Sequence, residues 1–113
     1  MAKTERTYQA NLIRIIDGDT VVATIDLGLG VKVIRHIRIQ GVNCPEMNAH
    51  IAGYRARNAC VAWWAAQKGK ATLITDEHTD HYGRLLGDFG QNLRGRIVNR
   101  LSNYLLKHGC QPL

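Results

Sequence analysis

At 113 residues the chain is sized for one domain, 1–113, with a modest core. Its ordinary apolar share excludes wholesale disorder, and no apolar run approaches the roughly 20 residues that span a bilayer. Fifteen Lys and Arg against nine Asp and Glu give a formal charge of +6, which favours a polyanionic partner, nucleic acid ahead of a membrane surface.

In chain order, Tyr8 to Ile16 carries apolar groups at Leu12, Ile13, Ile15 and Ile16 and stops at Asp17-Gly18, a common tight-turn dipeptide. Val21, Ala23 and Ile25 alternate with Val22 and Thr24, which predicts a second strand. Gly28 and Gly30 mark a turn, and a third strand starts at Val31. Within it Ile37 and Ile39 face one way and His36, Arg38 and Gln40 the other, so Arg38 points away from the core. Gly41 to Asn48 reads as loop, because Pro45 has no N–H to give a sheet.

A helix is predicted over Ala49 to Gln67, with Ala52, Ala56, Ala59, Cys60, Trp63 and Ala66 at helical spacing and Gly69 as its stop. That spacing assigns Trp63 and Trp64 to packing rather than to stacking on bases. Lys70–Thr75 reads as a fourth strand and Leu85–Phe89 as a fifth, joined by a polar loop. A last helix is predicted over Ile97 to Lys107, with Arg94, Arg96 and Arg100 on its solvated face. Three strands, a helix, two strands and a helix predict an α+β domain: a five-stranded, oligonucleotide-binding-type Greek-key barrel (OB-fold) with two helices packed outside.

Cys44, Cys60 and Cys110 are odd in number and far apart. They match neither a disulfide framework nor a zinc pair, so reduced thiols are expected, with Cys60 a small apolar filler in its helix. His78 and His81 lie in the polar loop with no cysteine ligand beside them and read as surface residues.

Three of the few acids, Asp17, Asp19 and Glu46, fall at turns beside strands. With Arg38 and Arg84 they suit attack on a phosphodiester assisted by a hard cation. A carboxylate such as Glu46 can orient or deprotonate water. Asp19, the Asn43 side-chain oxygen and a backbone carbonyl make an all-oxygen set suited to Ca2+ more than to zinc or copper. Two arginines offer planar donors to phosphate oxygens whose charge grows during the reaction.

Asp17-Gly18-Asp19-Thr20, Arg38, Val42-Asn43-Cys44-Pro45-Glu46 and Asp80-His81-Tyr82-Gly83-Arg84, with Val98-Asn99 near the last helix, resemble the signatures of the staphylococcal (thermonuclease-like) nuclease family, in a small phage or bacterial form. The resemblance runs from about Tyr8 to Gly109. It implies a Ca2+-dependent nuclease without strong sequence specificity that leaves 3′-phosphates on DNA or RNA. It makes Asp19 and Asn43 side-chain ligands and Cys44 a carbonyl ligand. Glu46 activates the water, Arg38 and Arg84 stabilise the phosphate, and Tyr82 and His81 contact substrate.

Asn43 stands where that family has Asp, which removes one negative charge. His81 stands where it has Lys, and the loop before the first helix is short. The chain ends at Leu113, short of the family's third helix. The alternative is a barrel of the same fold that binds nucleic acid without cutting it. A monomer in the cytoplasm is expected, with no membrane contact. A nonspecific nuclease there endangers its host, which suggests phage origin, an export step or tight regulation.

Overall fold

In the computed structural model, which describes residues 5–113, the first three strands form a meander: β1 (Arg6–Asp17), β2 (Thr20–Gly28) and β3 (Val31–Ile39). The Asp17-Gly18-Asp19-Thr20 turn joins β1 to β2 in a hairpin, with Asp17 opposite Thr20. A two-residue strand, β4 (Val42–Asn43), and a 3-10 turn, Met47–Ala49, occupy the segment read as loop after β3. β5 (Lys70–Thr75) pairs with the other edge of β1, and β6 (Leu85–Leu93) pairs with β5, giving the order β3-β2-β1-β5-β6. The barrel closes where β3 runs parallel to β6, with Ile37 opposite Leu85, Arg38 opposite Leu86 and Ile39 opposite Gly87. This is the five-stranded OB-like barrel with two helices expected from the order of elements.

Closure buries Val21, Ala23, Ile37, Ile39, Leu73 and Phe89 completely. Arg38 between the two isoleucines stays half-buried on the opposite face, as the alternation of β3 requires. The adjacent isoleucines of β1 do not all reach the core. The β1–β2 register shifts between Leu12 and Arg14 and again between Ile15 and Asp17, and Ile13 and Ile16, which fall in those intervals, are exposed.

Helix α1 (Ile51–Ala66) covers the barrel with Gly53, Ala56, Ala59, Cys60, Trp63 and Trp64. Small residues at its start let it lie close, and the two indoles fill the space at its end. Trp64 meets Phe89 edge-on with ring centroids 4.7 Å apart, and the Trp63 indole N–H donates to the Asn99 carbonyl. The chain leaves α1 through Lys68 and Gly69, both left-handed. Among the described residues no helix is long and apolar enough to cross a membrane.

Two expectations are corrected. The first is the last helix. Arg96–Val98 is a strand, β7, folded back on β6 through Arg94-Gly95, two residues with positive φ. Only α2 (Leu101–Leu106) is helical. Arg94 and Arg96 therefore lie at a hairpin tip, not on a helix face. Ile97 and Val98 are β-branched and suit a strand, and Asn92 caps the turn by accepting the Gly95 N–H. Val98 ends β7 and Asn99, at positive φ, breaks the chain before α2.

The second correction concerns the thiols. Cys44 and Cys110 form a disulfide across 66 residues, while Cys60 is free and buried. Chain folding causes this pairing: β8 (Gln111–Pro112) lies antiparallel to β4, with Val42 opposite Pro112 and Asn43 opposite Gln111. The flanking cysteines meet with Cα atoms 4.4 Å apart. Loop-closure entropy for such a separation corresponds to about 4 kcal/mol in the chain-entropy model.

Asp88 on β6 is buried where α2 begins. Its carboxylate accepts the Phe89 and Ser102 N–H groups at 2.8 and 3.1 Å and the Ser102 hydroxyl at 2.6 Å. Burial pushes its pKa above the ordinary value, against the opposing pull of those hydrogen bonds and of Arg100. Arg100, at the helix start, makes no side-chain cap, so a strand residue supplies it. Asp88→Ala is expected to cost about 2 kcal/mol, read as a lower guanidinium midpoint with unchanged slope. Thiol titration checks the disulfide: the native protein is expected to offer no reactive thiol. The unreduced, unfolded chain should offer one, Cys60, whose native pKa burial pushes up to about 12.

Candidate functional site

The turn between β1 and β2, the end of β3 with the following loop, and the loop entering β6 meet at one end of the barrel. Register makes the meeting possible. Thr20 is opposite Arg38 across β2–β3, and Arg38 is opposite Leu86 across the closure, two residues beyond Arg84. The Arg84 guanidinium accordingly comes within 3.5 Å of the Thr20 hydroxyl.

Asp19 is the buried acid of this end, 6% exposed. One carboxylate oxygen accepts the Cys44 N–H at 2.8 Å and faces Arg38 at 3.4 Å. The other accepts the Thr20 hydroxyl at 3.2 Å. Its backbone carbonyl accepts the Ile39 N–H, which ties the turn to the end of β3. Arg38 donates from one terminal nitrogen to the carbonyls of Ile39 and Val42, at 2.7 and 2.9 Å. Its fork is thereby fixed across the turn between β3 and β4.

Arg84 is positioned by Asp80, a residue to which the sequence motif alone assigns no role. Asp80 accepts the Arg84 side-chain N–H at 2.6 Å, the Arg84 backbone N–H at 2.9 Å and the Tyr82 N–H at 2.9 Å. Partial desolvation pushes the Asp80 pKa up, but these bonds and the Arg84 charge outweigh it and hold the carboxyl below its ordinary value. With one edge of the guanidinium held, one terminal nitrogen is turned towards the Thr20 hydroxyl. Tyr82 is exposed, and the Arg84 guanidinium lies 5.3 Å from its ring centre. His81 is exposed beside it. His78 pairs with Asp76 at 3.0 Å and belongs to the loop surface.

Glu46 is exposed at the head of the 3-10 turn and makes no side-chain cap there. Its backbone is fixed from two sides. Asp17 accepts the Met47 N–H at 3.2 Å. Gly53 of α1 comes so close that a Cβ there would lie 1.9 Å from the Glu46 carbonyl oxygen. Gly18, between the two turn acids, also sits tightly, on Ala56. One helix thus seats both the acid turn and the Glu46 loop, through a glycine with no room for a side chain, Gly53, and one that a side chain would crowd, Gly18.

Asn43 is exposed on β4, adjacent to Cys44. Among the described residues no three of His, Cys, Asp and Glu gather as a metal-binding group. By donor type, Asp19, the Asn43 amide oxygen and the Cys44 carbonyl are hard oxygens; Asp19 accepts the Cys44 N–H on one carboxylate oxygen and the Thr20 hydroxyl on the other. That set fits a hard cation bound largely through neutral oxygens and water, and it does not fit zinc. A cavity of about 380 Å³ opens beside the two arginines, lined also by Ile39, Tyr82, Leu86 and Leu113.

Among the described residues, every one marked from sequence except Glu46, Asn43 and His81 takes part in a hydrogen bond, ion pair or ring contact at this end. Asp80, Asp17, Thr20 and Gly53 emerge as its supports. The acid-to-arginine spacing of four in Asp80-His81-Tyr82-Gly83-Arg84 was the only local signal for the first of them. Compared with models of known protein families and with curated proteins, the chain matches none.

Gly53→Ala is expected to cost about 1–3 kcal/mol, because the added methyl must displace the Glu46 backbone. Chemical denaturation followed by tryptophan fluorescence checks this, and amide shift changes should concentrate in the loop around Glu46 and Met47.

Proposed function

We propose that the chain is a phosphodiesterase that hydrolyses DNA or RNA without strong sequence specificity, with Ca2+ as cofactor. The observation that carries the reading is the meeting of two restrained arginines at one end of the barrel: Arg38 faces the buried Asp19 carboxylate, and Arg84, held by Asp80, reaches the hydroxyl of the adjacent Thr20. A small protein rarely buries a carboxylate against an arginine without structural or chemical return. The resemblance of the same residues to the thermonuclease-like signatures and the basic net charge point the same way.

In this reading the phosphate sits between the guanidinium groups, which supply N–H donors to its non-bridging oxygens and favour their growing charge. Glu46, exposed and unencumbered by a capping role, takes the proton of the attacking water. The water oxygen forms its bond to phosphorus in line as the bond to the 5′ oxygen breaks; that oxygen leaves with the electron pair and takes a proton from solvent water, giving a 5′-hydroxyl and a 3′-phosphate. Asp80 acts through Arg84, holding it against the pull of the substrate. The cavity beside the arginines receives the neighbouring nucleoside, with Tyr82 and His81 at its rim. Asp19, Asn43 and the Cys44 carbonyl would hold Ca2+, which when bound supplies electrostatic stabilisation of the phosphate and a lower pKa for water. The chain acts as a monomer.

Asn43 favours a second reading, a barrel that binds nucleic acid without cutting. The neutral amide lowers the charge available to a cation, and affinity for Ca2+ follows ligand charge.

A fluorescent single-stranded DNA cleavage assay with Ca2+ titrated against EDTA separates the two. Ca2+-dependent cutting is expected, with Glu46→Gln and Arg84→Ala each lowering the rate by about 10²–10⁴-fold while circular dichroism stays unchanged. Salt-sensitive binding with no cutting under any divalent metal would establish the binding module.

A further inference from the structure

The disulfide lies in the candidate site, not at a distance from it. Cys44 contributes its N–H to Asp19, and its sulfur is bonded to Cys110. Besides the Cys44 N–H bond to Asp19 and the packing of Gly53 on Glu46, the loop that carries Asn43, Cys44 and Glu46 is held by three attachments. Arg38 binds the Val42 carbonyl before it, Asp17 binds the Met47 N–H after it, and the disulfide with β8 holds its middle. Of these, β4–β8 pairs only two residues on each side, and the Leu113 N–H adds one bond to the Gly41 carbonyl. So short a pairing has little stability of its own, and the covalent link is what makes it persist.

From this we propose that the Cys44–Cys110 disulfide is a redox control on the candidate site, an inference that rests on the phosphodiesterase reading. The oxidised protein holds the loop from Asn43 to Glu46 in place, with the Cys44 N–H on the Asp19 carboxylate, and is competent. Reduction frees the C-terminal segment, loosens β4, and withdraws the Cys44 N–H from its place on the Asp19 carboxylate.

The exchange is balanced by an ordinary dithiol. Its thiolate attacks one protein sulfur, the second thiol closes on the mixed disulfide, and two electrons and two protons pass to Cys44 and Cys110 as the dithiol becomes a cyclic disulfide. Oxidation runs the reverse course with a small-molecule disulfide as electron acceptor. Both cysteines are 5% exposed, so attack follows local opening of β4–β8. Cys60 takes no part, since it is buried under α1 with its pKa pushed up to about 12. Such a chain is latent where thiols are kept reduced and active where they are not, which reconciles a nonspecific nuclease with survival of the cell that makes it.

The test compares the oxidised protein, the protein reduced with a dithiol, and the reduced protein re-oxidised with a disulfide, below all melting transitions. Cys44→Ser/Cys110→Ser serves as a second, reductant-insensitive mimic of the reduced state. Asp88→Ala serves as a destabilised control with the disulfide intact. Two readouts are taken: hydrogen exchange of the backbone amide at position 44, in the wild type and in the double variant alike, and the Ca2+ concentration for half-maximal cutting.

Reduction is expected to speed exchange of that amide at least tenfold while the Trp63 and Trp64 near-ultraviolet signal is kept. It should raise the half-saturating Ca2+ at least tenfold, reversibly, with the double variant fixed at the reduced values and Asp88→Ala at the oxidised ones. Equal exchange and equal Ca2+ dependence in both redox states overturn the inference and leave the nuclease reading standing. Cutting in neither state overturns the nuclease reading. Redox control of the loop is then decided by amide exchange alone.

Discussion

The parallel pairing of β3 with β6 is the constraint on which the rest depends. Three residue pairs close the barrel, and their register places Arg38 beside Leu86 and so brings the Arg84 loop over Thr20. Because side chains alternate with period two, a slip of one residue would send Ile37 and Ile39 outwards and Arg38 into the core. Core burial and site geometry are thus enforced by the same register. The fully buried isoleucines make that register costly to lose, and the arginine between them is carried into place as a consequence.

Two buried carboxylates show how environment divides the same chemistry. Asp88 is enclosed under α2, and its bonds are spent on two backbone N–H groups and a serine hydroxyl. Burial dominates and its pKa rises. Asp19 is equally buried but lies at the barrel mouth, facing Arg38 and the Cys44 N–H. One carboxylate caps a helix, and the other joins the β1–β2 turn to Arg38 and to the Cys44 loop. The difference lies in what surrounds each and not in the residue type.

Much of this was legible along the chain. The alternation in β2 and β3, the spacing of small residues in α1, and the Asp-Gly turn each follow from local rules, and each of these elements stands where it was expected. The tryptophans are core, as helical spacing indicated. The last helix reads too long in the sequence because Ile97 and Val98 continue an apolar pattern into α2. The pairing of β6 with β7 and the positive φ of Arg94 and Gly95 reveal the hairpin, and arginine carries no turn signal of its own. The bulges that expose Ile13 and Ile16 are likewise matters of pairing with β2.

The sequence by itself determined the strands of the barrel and α1, the outward face of Arg38 and the set of acids and arginines available for chemistry. These depend on interactions within a few residues or on a fixed side-chain period. Tertiary structure alone decided that Cys44 meets Cys110, that Asp88 caps α2, and that Gly53 seats the Glu46 loop. Those contacts join positions separated by 66, 14 and seven residues. No local rule specifies the first two. They arise because strand register and helix packing bring distant backbone segments within a few ångströms of each other. The third lies near in sequence, yet it too depends on how closely α1 packs on the loop before it.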